Sequence, residues 1–230
     1  MTIDRKAFAG TIDHTYLKIE GGPGEIQRIC LEAEKYGFAS VAIYPSVVPF
    51  AAKLLNGTSV EICAALGFDL GTYTPDQKAF ETKDIIEKGA TEVDLVMNVA
   101  AAKSKEWGLL EEEFGKFREA AGQTTAKIIL ETYLLTDEEK VKACELAMAA
   151  KLDFVKTSTG FRKGTPDKPG GARVHDVKLM ADTVLPNVRV KAAGGIRTLD
   201  DALALIDVGA TRLGCSAGVQ LMAAYDAKYS

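Results

Sequence analysis

One joint recurs along the 230-residue chain and limits what it can fold into. At Tyr36-Gly37-Phe38-Ala39-Ser40-Val41, Lys88-Gly89-Ala90-Thr91-Glu92-Val93 and Val208-Gly209-Ala210-Thr211-Arg212-Leu213, a helical pattern ends on a glycine and a short apolar run follows. Glycine suits the left-handed position that closes a helix, and the apolar run reads as a buried strand. A helix-to-strand joint repeated in this way specifies βα units. Strands are predicted over residues 11–17, 40–43, 61–66, 92–97, 126–131, 154–156, 189–192 and 212–215. They start roughly 20–35 residues apart, the spacing that a strand, a helix and two loops require. Helices are predicted over 24–36, with Ile26, Ile29, Cys30 and Ala33 on one face, and over 198–208, with Leu199, Ala202, Leu203 and Ile206. A third, over 136–149, opens on a Thr136/Glu139 capping box and carries Val141, Cys144 and Ala147.

Eight βα units in this length favour an α/β fold, a single-domain (β/α)8 TIM barrel over residues 1–230, rather than an open doubly wound sheet. The open sheet calls for G-x-G-x-x-G after its first strand, and residues 11–19 contain none. The formal charge of −4 argues against a nucleic-acid partner. Two histidines, His14 and His175, make a histidine-based metal site improbable. Cys30, Cys63, Cys144 and Cys215 lie far apart in apolar stretches and read as buried free thiols. Residues 1–10 lack the apolar core of a secretory signal, and the longest apolar stretch, 41–52, is broken by Pro45, Ser46 and Pro49. A cytoplasmic protein without membrane association is expected.

In such a barrel, function gathers at the C-terminal ends of the strands. Lys156 follows Phe154-Val155 in a strand buried on both faces, where an ammonium is costly unless it is paired or deprotonated. Lys191 occupies the matching place on the next strand, about 4.8 Å away. A second cation at that range lowers a lysine pKa, as a Schiff-base nucleophile needs. The competing reading is a pair of strand-end lysines that snorkel to solvent. Asp94 is an acid inside an apolar strand, either a proton carrier or an ion-pair partner. Asp13 with His14, and Glu131 with Thr132, are polar strand ends that can serve the chemistry or hold the rim by hydrogen bonds. Gly194-Gly195-Ile196-Arg197-Thr198 and Gly214-Cys215-Ser216-Ala217-Gly218 each lead from a strand into a helix, either to bind phosphate through backbone N–H groups or simply to turn the chain. The loop 158–173 adds Arg162, Lys163, Lys168 and Arg173 against Asp167, either to close over an anionic substrate or simply to face water.

Five stretches carry a family resemblance. Ile12-Asp13-His14-Thr15, Glu92-Val93-Asp94-Leu95-Val96-Met97-Asn98, Leu130-Glu131-Thr132-Tyr133-Leu134-Leu135-Thr136, Phe154-Val155-Lys156-Thr157-Ser158-Thr159-Gly160-Phe161 and Val190-Lys191-Ala192-Ala193-Gly194-Gly195-Ile196-Arg197-Thr198 resemble deoxyribose-phosphate aldolases, and the likeness runs from about residue 11 to 222. The resemblance implies a metal-free, cofactor-free class I aldolase that reversibly cleaves 2-deoxy-D-ribose 5-phosphate to acetaldehyde and D-glyceraldehyde 3-phosphate. It implies that Lys156 forms the Schiff base, that Lys191 lowers the Lys156 pKa and joins the proton relay, and that Asp94 moves protons. It further implies that Asp13 and Thr159 orient hydroxyl groups or the relay, and that Gly160, Gly194, Gly195, Gly214 and Ser216 bind the phosphate.

Three departures stand out. The family usually has cysteine at Ala42 and often a second serine at Ala217. Its members commonly pass quickly from Ser-Thr-Gly-Phe to Gly-Gly-Ala, whereas here residues 162–169 intervene. These bear on phosphate affinity and tail preference, not on the lysine chemistry. The second reading is a related Schiff-base aldolase with another aldehyde or phosphosugar preference. A phosphosugar-binding barrel without catalysis and a metal-dependent aldolase or isomerase are the rivals from other classes. Small-molecule phosphosugar and aldehyde substrates are the partners expected, and a homodimer or higher homo-oligomer is compatible with the chain.

Overall fold

The computed structural model describes residues 3–68, 70–165 and 169–229. Eight parallel strands close into a barrel in sequence order, each bonded to the next and the last to the first. They are β1 (Ile12–Tyr16), β2 (Ser40–Ile43), β3 (Glu61–Leu66), β4 (Glu92–Val96), β5 (Thr125–Ile129), β6 (Phe154–Lys156), β7 (Arg189–Ala193) and β8 (Ala210–Cys215). The ring of helices comprises α1 (Arg5–Ala9), α2 (Pro23–Tyr36), α3 (Val48–Leu54), α4 (Pro75–Glu87), α5 (Val99–Lys103), α6 (Trp107–Ala121), α7 (Asp137–Ala149), α8 (Val174–Val184), α9 (Leu199–Asp207) and α10 (Gly218–Tyr229). All eight predicted strands are present, three with the predicted ends and the other five with ends that shift by at most two residues.

The recurring joint does what its residues require. Gly37, Gly89 and Gly209 have φ of 71°, 109° and 113°, the left-handed turn that stops a helix and aims the chain into the next strand. Thr136 caps α7 in a full capping box with Glu139, and Thr74 with Gln77 and Thr198 with Asp201 do the same for α4 and α9. The α2 face is buried as predicted, through Ile26, Ile29, Cys30 and Ala33. On α7 the buried stripe runs instead through Ala143, Cys144, Leu146 and Ala147, and Val141 is half-buried. Cys144 and Ala147 thus lie inside as predicted, and beside Val141 the buried Lys140 ammonium reaches Asp176 at 2.7 Å on α8. On α9, Leu199, Ala202 and Leu205 are buried, while Leu203 and Ile206 are half-buried.

Apolar packing lies mainly between the strands and the helix ring, where Phe8, Phe114, Phe117, Ile12, Ile26 and Ile43 are fully buried. All four cysteines are buried free thiols. At the C-terminal end of the barrel, three backbones meet at glycines. A Cβ on Gly194 would lie 3.0 Å from the Gly171 Cα and 3.1 Å from the Gly160 Cα, and one on Gly171 would lie 2.5 Å from the Gly194 oxygen. Their φ values are 89°, 89° and 86° for Gly160, Gly171 and Gly194, so both space and conformation demand glycine. The segment between Gly160 and Gly171 leaves this junction as a hairpin, pinned by an antiparallel bridge between Gly164 and Pro169 and by the Gly170 N–H donating to the Lys163 carbonyl at 2.9 Å.

Candidate active site

Strand alternation decides which side chains enter the barrel. Asp94 and Glu92 alternate on β4, Lys127 lies opposite Asp94 on β5, Lys156 is in register with Lys191, and Lys191 with Arg212. The pair of matching lysines predicted from the sequence is therefore present. On β1 the alternation separates Asp13 from its neighbour. Asp13 faces the interior, whereas His14 points to the shell, 2.6 Å from a Glu32 carboxylate oxygen and packed against Phe38. Consecutive strand residues face opposite sides, so Asp13 joins the interior charges while His14 holds the shell through Glu32.

The interior is a network of charge. Asp94 Oδ2 accepts from Lys156 at 2.6 Å and from Lys191 at 2.7 Å, and its Oδ1 accepts from Lys127 at 2.9 Å. Lys191 also contacts Asp13, and Arg212 bridges Asp13 and Glu92, with Nη2 2.6 Å from Glu92. Lys127 reaches Glu92 at 2.6 Å. Below these, Phe154 forms an aromatic floor, with the Arg189 guanidinium 4.0 Å from its centroid.

Four basic groups thus face three carboxylates, Asp13, Glu92 and Asp94, in the buried interior of the barrel. A buried excess cation is strongly disfavoured, so one of the four should lose its proton. Burial would lower the Lys191 ammonium, but Asp13 and Asp94 outweigh it and hold its pKa raised. Burial likewise opposes Lys127 and Arg212, and their carboxylate partners hold both raised. Lys156 alone is pushed down, by burial and by the charge of Lys191, against the attraction of Asp94. The Asp94 carboxyl would be raised by burial, yet Lys127, Lys156 and Lys191 keep it well below the ordinary carboxylate range. Asp13 is also held low, with Lys191 and Arg212 overcoming its burial. The Cys63 thiol, pushed up to about 12 chiefly by burial, stays protonated and donates to Asp94 Oδ1 at 3.0 Å.

Above this network a cavity of about 320 Å³ opens at the C-terminal ends of the strands, and Lys156, Thr159, Gly160, Gly194, Gly195, Gly214 and Ser216 all line it. Asp94, Asp13 and Lys191 lie beneath it. Lys156 is the one member of the charge network that the cavity reaches. Its ammonium is covered on one side by Phe68, 5.5 Å from the ring centroid, and Phe68 packs edge-on against Phe161 and Tyr44. Thr159 is held from below. Its hydroxyl donates to Glu131 at 2.6 Å, and Glu131 adopts φ 55° to turn its carboxylate under that loop.

The two glycine turns are not equivalent. The start of α9 is already occupied by its Thr198 capping box and carries Asp200 and Asp201 in its first turn. The start of α10 has no acidic residue in its first turn, and Gly214, Cys215 and Ser216 lead from the cavity into it. The positive end of α10 is therefore the one free to meet an anion. Of the basic loop, Asp167 and Lys168 lie outside the described residues. Arg173 is removed from any anion site by its bonds to Asp176 at 2.9 and 2.8 Å.

Glu92, Lys127, Arg212 and Cys63 escaped the sequence reading, as did the aromatic cover from Phe68. A two-residue alternation from Asp94 back to Glu92 and from Gly214 back to Arg212 was the available signal. Two clusters, Asp13 with Cys63 and Glu92, and Asp137 with His175 and Asp176, have metal-like donor spacing. Lysine and arginine groups already contact both, through Lys127, Arg212 and Lys140.

The DeoC/LacD family aldolase model matches residues 4–223. The chain is 54% identical over 211 residues to a deoxyribose-phosphate aldolase of Streptococcus sanguinis, covering 92% of this chain and 93% of that one. It is 51% identical over 221 residues to the deoxyribose-phosphate aldolase of Macrococcus caseolyticus, covering 96% and 98%. Among solved structures, the tetrameric deoxyribose phosphate aldolase of Aeropyrum pernix superposes with a TM-score of 0.88 at 27% identity, over 98% of this chain and 93% of that one.

Proposed function

This chain belongs to the DeoC/LacD family of aldolases, and on that premise we propose that it cleaves 2-deoxy-D-ribose 5-phosphate reversibly to acetaldehyde and D-glyceraldehyde 3-phosphate through a Schiff base on Lys156. The observation that carries the assignment of Lys156 is the excess of one basic group in the barrel. The only one of the four whose proton is loosened is also the one that opens on the cavity.

Neutral Lys156 attacks C1 of the open-chain sugar, and loss of water from the carbinolamine gives an iminium. A base then takes the proton of the C3 hydroxyl, the C2–C3 bond breaks, and its electron pair flows to the iminium nitrogen. D-glyceraldehyde 3-phosphate leaves, and the enamine takes a proton at C2. Hydrolysis of the resulting iminium releases acetaldehyde and restores Lys156. The ionised Asp94 accepts from both lysine nitrogens at one oxygen, so a proton leaves or returns to Lys156 through that carboxylate while Lys191 stays charged beside it. Asp13 holds Lys191 from the far side. Thr159, fixed by Glu131, orients substrate hydroxyls or the water between them. The phosphate is taken by the backbone at Gly160, Gly194, Gly195 and Gly214 and by Ser216, at the start of α10. Ala217 offers no hydroxyl there, so Ser216 and main-chain groups carry this contact.

We further read residues 1–230 as one catalytic domain acting in the cytoplasm, and as a homo-oligomer, by analogy with the tetrameric Aeropyrum pernix enzyme. Reduction with borohydride in the presence of 2-deoxyribose 5-phosphate tests the core of the reading. Peptide mapping should find the adduct mass on Lys156, and an adduct elsewhere, or none, removes it.

A further inference from the structure

The chain between Gly160 and Gly171 contributes to a second cavity beside the first. It has a volume of about 260 Å³, and Arg162, Lys163 and Arg197 supply its charge. Its floor is the glycine junction, and Gly160, Gly194, Gly195 and Arg197 belong to both cavities. The hairpin geometry leaves no freedom at its base. A Cβ on Gly170 would lie 1.8 Å from the Arg162 carbonyl oxygen, so the strand carrying Arg162 and Lys163 is pressed directly onto the returning strand.

Among the described residues, no acid balances the charges that line this cavity. Arg5, Arg28, Arg118, Arg173 and Arg212 all hold carboxylates, and Arg189 stacks on Phe154. The side chains of Arg162 and Arg197 make no ion pair or hydrogen bond among the described residues, and Arg162 Nε is buried without a partner. Nearby acids are already committed, with Asp200 bound to Lys228 at 2.9 Å and Asp201 in the α9 capping box. A buried guanidinium N–H without an acceptor, among cations, is a site lacking its anion.

We propose that this cavity is a second anion subsite, so that the protein binds a ligand carrying two linked phosphoryl groups, one at the α10 start and one between Arg162, Lys163 and Arg197. The two cavities share the wall formed by Gly160, Gly194, Gly195 and Arg197, which sets the two anion sites side by side for one ligand, and a diphosphate is the simplest ligand of that class. The inference rests on the reading of the glycine turns as the phosphate site.

Titration calorimetry with inorganic pyrophosphate and inorganic phosphate tests it without requiring turnover. Pyrophosphate should bind about 10-fold tighter than phosphate, and Arg162→Ala/Lys163→Ala should reduce that ratio to within about twofold, since a lost charge-assisted contact is worth roughly a factor of ten. A charge-matched control, Lys6→Ala/Lys53→Ala on exposed positions, should keep the ratio. An unchanged melting temperature in the hairpin variant establishes that the barrel is intact. A ratio near one in the unaltered protein overturns the proposal, as does a ratio that survives the hairpin substitutions or falls equally in the control. Failure of the aldolase reading would appear separately, as absence of borohydride trapping on Lys156.

Discussion

The two sides of the barrel wall are built from opposite chemistries. Outside the strands, Phe8, Phe114 and Phe117 pack with aliphatic side chains into a mainly apolar shell, interrupted by the buried ion pairs Lys78–Glu113 and Lys140–Asp176. Inside, Lys127, Lys191, Asp94 and Asp13 are as deeply buried as those phenylalanines, and none has an apolar environment to itself. The shell gains free energy from removing apolar surface from water. The interior loses most of its Coulombic gain to desolvation. It keeps a fixed set of charges whose imbalance loosens one proton. Stability and reactivity therefore reside on different sides of the same strands, and variants on either side should have different readouts.

The largest separation is expected from Lys191→Met. With Lys191 gone, three basic groups face three carboxylates, and burial alone is left to lower the Lys156 pKa against the attraction of Asp94. Lys156 acts when deprotonated, so activity rises with pH through its pKa. Removing the cation that depresses that pKa moves the rising limb to higher pH. At pH 7 kcat/KM should fall by about 10³-fold, a general-base-sized loss, with partial recovery on raising the pH. A parallel fall at all pH values would make Lys191 merely structural. Phe114→Ala, in the shell, should cost about 3–5 kcal/mol in urea unfolding while leaving the pH–rate limb where it was. A shifted limb would break the division of labour. A finer test uses neighbours on one strand. Asp13→Asn should change the pH profile, whereas His14→Gln should lower stability by about 1–2 kcal/mol and leave the profile alone. The smallest effect is expected from EDTA. Dialysis against it should leave activity within experimental error, because lysine and arginine groups already contact the carboxylates that could bind a metal.

How far the sequence could be read follows the range of the interactions involved. The barrel was legible because its signal is local, a helix, a left-handed glycine and an apolar run, repeated. Lys156 and Lys191 were legible because a charge in a buried strand conflicts with its surroundings within three or four residues. Glu92 and Arg212 were not, because each sits near a strand's start, where a polar residue looks like ordinary surface. Only ring closure brings Arg212 to Asp13, 199 positions away. Glu131 shows the same limit in miniature. Its left-handed backbone, unusual for a residue with a side chain, turns a carboxylate that reads as a strand end into the support under Thr159. A lowered lysine pKa was anticipated from a pairwise argument, yet in the structure burial, Lys191 and Asp94 act on Lys156 together, within a ring of four basic groups and three carboxylates.

The meeting of Gly160, Gly171 and Gly194 has a consequence for how such an enzyme can diversify. The two ends of the hairpin are clamped to the β7 turn by main-chain contact. What is threaded between them changes neither the entry nor the exit of the chain, and lengthening a surface loop costs little in closure entropy. The junction is a splice point. Segments of different length and charge can be exchanged above the same lysines, which makes this the natural place to graft recognition for a new tail onto an unaltered catalytic barrel.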